Sequence, residues 1–292
     1  MSDVVVQNPN ATDQGNGVFK NSSSAPKVSV ITICYNCRDE IIETLQSVVS
    51  QSFKDYEYII IDGKSTDGTR ETIEQFILSA GSNSVFISEK DRGIYDAMNK
   101  AIRLATGDFI IFMNAGDIFE SHQVLDQIRN YFNGANDVIY GDHVVKYPTS
   151  GLRRLVSARP PEDLWRGMVA SHQSTFVRTK IIKLKEFDLN ERIGADFKLL
   201  FDLYCSGAKF ARVDCTISQV SAGGISDKRR VEAIWRRFLI VYAARREPRV
   251  ILFYIYLASR EALVFFAKQL MPQSVTDWFI KLKRGSISMN DS

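Results

Sequence analysis

The feature that most constrains this 292-residue chain is an alternation between residues 27 and 117. Apolar, β-branched runs take turns with segments of helical spacing, four times over. "KVSVITI" (Lys27–Ile33) reads as a strand, and residues 38–52 follow with Ile41, Ile42, Leu45, Val48 and Val49 on one helical face. "YEYIIID" (Tyr56–Asp62) is a second strand, and after the turn "GKSTDG" residues 69–79 read as a helix. "SVFISE" (Ser84–Glu89) is a third strand, followed by a helix over 95–106 that Gly107 closes. "DFIIFM" is the fourth strand. Such an order predicts an α/β fold with a mostly parallel sheet and helices on both faces.

Ligands of parallel sheets bind beyond the carboxyl ends of the strands. Strand one ends at Thr32, Tyr35 and Asn36, strand two at Asp62, strand three near Glu89 and Asp91, and strand four at Asn114 and Asp117. Carboxylates converging on one rim suit a divalent cation better than a bare phosphate. The two common phosphate loops, GxGxxG after strand one and GxxxxGK[ST], are absent. Mg²⁺ or Mn²⁺ takes hard oxygen ligands, few of them from protein. The run "FIIFMNAGD" therefore makes sense as a buried strand that ends in a small-residue turn carrying a metal ligand, Asp117. The alternative is a turn or N-cap aspartate for a helix near Val124.

The charge distribution singles out the C-terminal region. Residues 228–284 hold 13 Lys/Arg against 4 Asp/Glu, whereas residues 1–227 hold 24 against 29. The net charge of +3 gives no reason to expect a nucleic-acid partner. Val231, Ile234, Trp235, Phe238, Val241 and Tyr242 share a helical face among arginines, Pro248 interrupts, and a second apolar segment runs from Val250 to Met271. Arginine and aromatics at this density predict helices lying on a membrane surface, or else a helical cap. The longest apolar run, Val250–Ser259, is stopped by Arg260 and Glu261, so no span is expected. Residues 1–26 read as a disordered lead and not as a signal peptide. The four cysteines read as buried thiols of a reducing cytosol.

The pieces "VSVITICYN", "YIIIDGKSTDGT", "SEKDRGIYDAMNKAIRLATGDFIIFMNAGD" and "SHQSTFVR…GADFKLLFDL", over residues 27–225, resemble glycosyltransferase family 2 enzymes of the bacterial exopolysaccharide and O-antigen type. The resemblance implies a Rossmann-like GT-A domain over 27–227, with 228–292 as a basic helical appendage. It implies that Thr32, Tyr35, Asn36, Asp62, Asp91 and Asn114 bind a nucleotide-sugar donor, with UDP-sugars favoured. Asn114–Asp117 occupies the slot of the family's Asp-x-Asp metal motif, with Asn where many relatives have the first acid. Asp196 matches the general base, and an N-cap is its alternative role. His172 and Gln173 match a pattern assigned to acceptor or phosphate contact. The implied reaction is inverting transfer to a polyprenyl-diphosphate-linked or saccharide acceptor, on the cytoplasmic face of the inner membrane. A degenerate scaffold subunit is the competing expectation, motivated by Asn114.

Overall fold

The computed structural model describes residues 26–80, 84–148, 150–223 and 229–270, so the expected lead lies outside it except for Pro26. The chain divides into two compact units, residues 1–228 and 229–292.

In the first unit the alternation is realised as β1 (Val28–Cys34), α1 (Arg38–Val49), β2 (Tyr56–Asp62), α2 (Thr69–Ala80), β3 (Ser84–Ser88), α3 (Ile94–Leu104) and β4 (Phe109–Phe112). β1 is buried along its whole length, and β2 over its last five residues. This is why both read as unbroken apolar runs and not as alternation. Gly107 does not cap α3. The helix ends at Leu104 with Ala105 as its C-cap, and Gly107 instead lies against β1, where a Cβ would come 2.7 Å from the Ser29 nitrogen. The glycine is needed for close approach of two backbones.

β5 (Ile118–Phe119), α4 (Val124–Ile128), β6 (Val138–Lys146), β7 (Arg153–Val156), β8 (Thr175–Arg178), α5 (Thr179–Lys185), α6 (Ala195–Cys205) and β9 (Phe210–Ser221) complete the unit. One sheet runs β3-β2-β1-β4-β8-β6-β9-β5, with β7 on β6. The block β3-β2-β1-β4 is parallel, as the alternation requires. Beyond β4 the sheet is mixed: β8 runs antiparallel to β4 and β6, while β9 runs parallel to β6. This reversal positions the site. The carboxyl ends of β4, β6 and β9 and the amino end of β8 all come to the same side of the sheet.

The second unit is a helix hairpin, α7 (Arg230–Arg245) and α8 (Pro248–Leu270). Pro248 opens α8, the one helical position where its missing N–H costs nothing. Phe238 stacks on Tyr242 and packs on Tyr254, and Arg230 pairs with Glu261 at 3.2 Å, so the helices are antiparallel. A groove of about 530 Å³ between them is lined by Val231, Ile234, Trp235, Phe238, Tyr254 and Ile255, among others. Among the described residues, no helix is long and apolar enough to cross a membrane.

Candidate active site

The strand β4, "FIIF", leads into a tight turn, with the Asp117 N–H donating to the Asn114 carbonyl at 2.9 Å. Gly116, at φ +88°, supplies the left-handed residue that such a turn needs. Thr44 of α1 clasps the turn, its hydroxyl accepting from the Gly116 N–H and donating to the Asp117 carbonyl. The N-cap of α4 is Gln123, so Asp117 caps no helix. Its carboxylate faces a cleft of about 840 Å³. There it accepts from the Gln173 amide at 2.7 Å and more loosely from the Ser221 N–H at 3.4 Å. Only 8% of Asp117 is exposed, and burial pushes its carboxyl up to about 6 against the pull of Gln173, His172 and Ser221.

Asp196 lines the same cleft, at the second residue of α6. Gly194, at φ +87°, is the N-cap of this helix, so the capping alternative is removed here too. The Tyr95 hydroxyl donates to Asp196 Oδ1 at 3.3 Å and accepts from the Gly194 N–H. Burial, then the Asp196 charge, holds the Tyr95 phenol well above its ordinary range, so it remains a donor. Nδ1 of His172 approaches Asp196 Oδ2 at 3.5 Å, and its Nε2 meets the Asn114 amide nitrogen at 3.1 Å.

The structure thus brings Asn114, Asp117, His172, Gln173 and Asp196 into one cleft. The other expected donor residues lie elsewhere. Tyr35 and Asp91 form a patch about Gly63, with Asn36 beside Tyr35 in the chain; a Cβ on Gly63 would fall 2.6 Å from an Asp91 oxygen and 3.2 Å from the Tyr35 ring. Asn36, at φ +47°, is tied to the following loop through Ser65 and Thr66. Two residues face inward. Thr32 is fully buried and bonded to Tyr58 and the Met113 carbonyl. Asp62 is also fully buried, and its oxygens accept from Ser65 and Ser88. Both underpin the rim and neither lines it. The expected convergence of carboxylates does not occur: among the described residues, no three His, Cys, Asp or Glu side chains are grouped to hold a metal.

Sequence reasoning missed Tyr95 as a partner of Asp196 and the cleft cations Lys146 and Arg192. Tyr95 begins an apolar helical stripe, which disguised it as core. Lys146 ends β6, a strand too irregular to read in advance.

Two oxygens fit a divalent cation. The Asp117 carboxylate keeps unused lone pairs, and Asn114 Oδ1 is buried with no hydrogen-bond partner.

Residues 29–194 match the family model described as Glycosyl transferase family 2, and the chain belongs to that family. It is a glycosyltransferase. A PGL/p-HBAD biosynthesis glycosyltransferase of Mycobacterium bovis BCG is 26% identical over 78% of this chain and 93% of its own. The putative teichuronic acid biosynthesis glycosyltransferase TuaG of Bacillus subtilis is 38% identical over a shorter stretch, 36% of this chain and 41% of its own. Two solved structures share the fold. The mannosyltransferase PcManGT of Pyrobaculum calidifontis, in complex with GDP-Man and Mn²⁺, has a TM-score of 0.61 at 16% identity, covering 92% of this chain and 82% of its own. S. aureus TarS in complex with UDP-GlcNAc has a TM-score of 0.55 at 17% identity, covering 76% and 68%.

Proposed function

We propose that this chain is an inverting glycosyltransferase that moves a sugar from a nucleoside-diphosphate donor, UDP-sugars favoured, to an acceptor hydroxyl. The acceptor we favour is a lipid-linked oligosaccharide or saccharide of the cell surface, met at the cytoplasmic face of the inner membrane. The observation that carries the reading is one cleft holding two differently supported carboxylates, Asp117 and Asp196. The order β3-β2-β1-β4 sets the Tyr35–Asn36–Asp91 patch beside the Asp117 turn, so a nucleotide can lie along the rim with its diphosphate towards β4. Thr32 and Asp62 serve it by shaping the loops beneath.

Asp117 and Asn114 Oδ1 would hold Mg²⁺ or Mn²⁺ when it is bound, and the cation would neutralise charge on the departing diphosphate. Asn114 contributes an oxygen and no charge. Asp196 accepts the acceptor's proton, and Tyr95 and His172 hold its carboxylate in place for this. The hydroxyl attacks as the diphosphate leaves, and a single displacement inverts the anomeric centre. The relatives' printed roles in PGL/p-HBAD and teichuronic acid biosynthesis support a cell-surface product. The scaffold reading has no observation in its favour beyond Asn114 itself, whose orphaned oxygen suits a ligand site.

The test is calorimetric titration of UDP and GDP into the full chain with Mn²⁺ and with EDTA, followed by a transfer assay on Asp196→Ala. We expect cation-dependent binding of one nucleotide, and in Asp196→Ala a fall in kcat of ~10²–10⁴-fold with nucleotide affinity retained. Wild-type protein that binds neither nucleotide, or an Asp196→Ala protein that transfers at the wild-type rate, would sink the reading.

A further inference from the structure

The two carboxylates of the cleft are held by two consecutive residues. Gln173 donates to Asp117 and His172 approaches Asp196. Both sit on one short turn, His172–Ser174, immediately before β8. We propose that this turn is the positioning element of the site, a crosspiece that fixes the separation and aim of the acceptor-side and donor-side carboxylates. His172 positions Asp196 and Gln173 positions Asp117. The inference rests on the proposed function and assigns these side chains a task other than touching substrate.

The orientation of both side chains follows from their partners. A nitrogen facing a carboxylate must carry a proton, so the positioning role assigns His172 the Nδ1–H tautomer. Its Nε2 is then an acceptor, and it takes the N–H of the Asn114 amide at 3.1 Å. This fixes the amide as well: Asn114 Oδ1 is turned from His172, and it is the atom left buried without a partner. His172 therefore aims the Asn114 oxygen as well as the Asp196 carboxylate. Gln173 is set in the same manner, because the Ser171 hydroxyl bonds its Oε1 and leaves Nε2 for Asp117.

The turn is fastened from below. Ser174 is fully buried, and its hydroxyl bonds Ser218 of β9 at 2.6 Å and the Asp142 carbonyl of β6 at 3.1 Å. Thr175 donates to the Ser171 carbonyl at 2.7 Å, and the Ser174 N–H donates to the same carbonyl. β8 is paired on both edges, with β4 and β6. The crosspiece is thus anchored to three strands, while its two functional side chains face the cleft.

The test compares variants of the full chain by two readouts, donor turnover and nucleotide affinity with Mn²⁺. His172→Ala should lower kcat ~10–100-fold with a smaller loss of Mn²⁺-dependent nucleotide affinity, transmitted through Asn114, whereas Gln173→Ala should weaken Mn²⁺-dependent nucleotide binding ~10-fold and lower kcat at saturating donor by less than His172→Ala does. An asparagine amide nitrogen falls where Nδ1 stood, and a glutamine nitrogen where Nε2 stood. His172→Asn should therefore restore turnover and His172→Gln should not, which keeps the test informative where the alanine variant fails to fold. ¹⁵N spectra of the chain, which has three histidines, should show His172 as the Nδ1–H tautomer, lost in Asp196→Ala. Parallel losses of kcat and affinity in both alanine variants, equal Asn and Gln variants, or an Nε2–H tautomer in the wild type would overturn the positioning role. A wild type without turnover on any nucleotide sugar would instead overturn the functional reading, and the tautomer would still decide the geometry.

Discussion

At the scale of single residues, Asp117 is the most informative. Unfolded, its carboxyl ionises near 3.8; folded, burial raises this to about 6. A carboxyl whose folded value is raised opposes folding once it is charged. The cost is absent below about pH 4, grows through the interval and is full above about pH 6, where it amounts to ~3 kcal/mol at most. Asp117→Asn should therefore stabilise the ligand-free protein at about pH 8, with the gain shrinking to nothing by about pH 4, as read by urea unfolding at each pH. The same variant should lose cation-dependent nucleotide binding. A gain that is the same at both pH values would show that the carboxyl is not paying a burial cost. Asp117 was legible in the sequence because it follows the end of an apolar strand, whereas Asp196 stood out only through the family resemblance of "GADFKLLFDL". Thr32 and Asp62 stand at equally recognisable boundaries, but which way a strand-end side chain turns depends on its neighbours. Ser65, Ser88 and Tyr58 draw these two inward, and no pattern within β1 or β2 announces it.

At the scale of elements, the first half of the sheet was legible and the second was not. β1, β2 and β4 are largely buried parallel strands that announce themselves as apolar runs, and β3, half-buried in alternation, is marked by its place between two helices. β6 and β9 instead carry intermediate and exposed positions, and their pairing slips register between Tyr140 and His143. Gly141 sits in that irregularity. A Cβ there would meet the Cys215 carbonyl oxygen at 2.5 Å and Ile217 Cδ1 at 2.9 Å. Because the obstacle includes backbone, Gly141→Ala must push β6 and β9 apart, at a cost of ~1–3 kcal/mol. Both strands end at the cleft, in Lys146 and Ser221, so the same substitution should also weaken nucleotide binding. A variant with the wild-type urea midpoint would mean that the bulge yields freely and does not set the spacing of these strands. The cleft itself could not be foreseen as a constellation, since it forms where the antiparallel β8 carries its amino end up to the carboxyl end of β4.

At the scale of the whole molecule, the charge is divided between the units. The basic excess falls in residues 228–284, and in the hairpin α7–α8 Trp235 is 56% exposed, Ile255 57% and Leu252 68%. Apolar side chains at this exposure among arginines suit the boundary between headgroups and acyl chains. Each basic residue near an anionic surface contributes ~1 kcal/mol, and salt weakens that attraction. The full chain should therefore co-sediment with vesicles containing phosphatidylglycerol and not with phosphatidylcholine alone. Binding should fall between ~50 and ~300 mM salt, as screening shortens from about 14 to about 6 Å. Trp235→Glu should reduce binding further while leaving the unfolding free energy of the protein within about 0.5 kcal/mol, since an exposed side chain is being replaced. Equal binding to both vesicle types would assign the contact to the apolar groove alone. No binding at low salt, together with a dimer in sedimentation velocity that Trp235→Glu dissociates, would show that the groove is closed by a second copy of the chain and would remove the membrane from the proposed function.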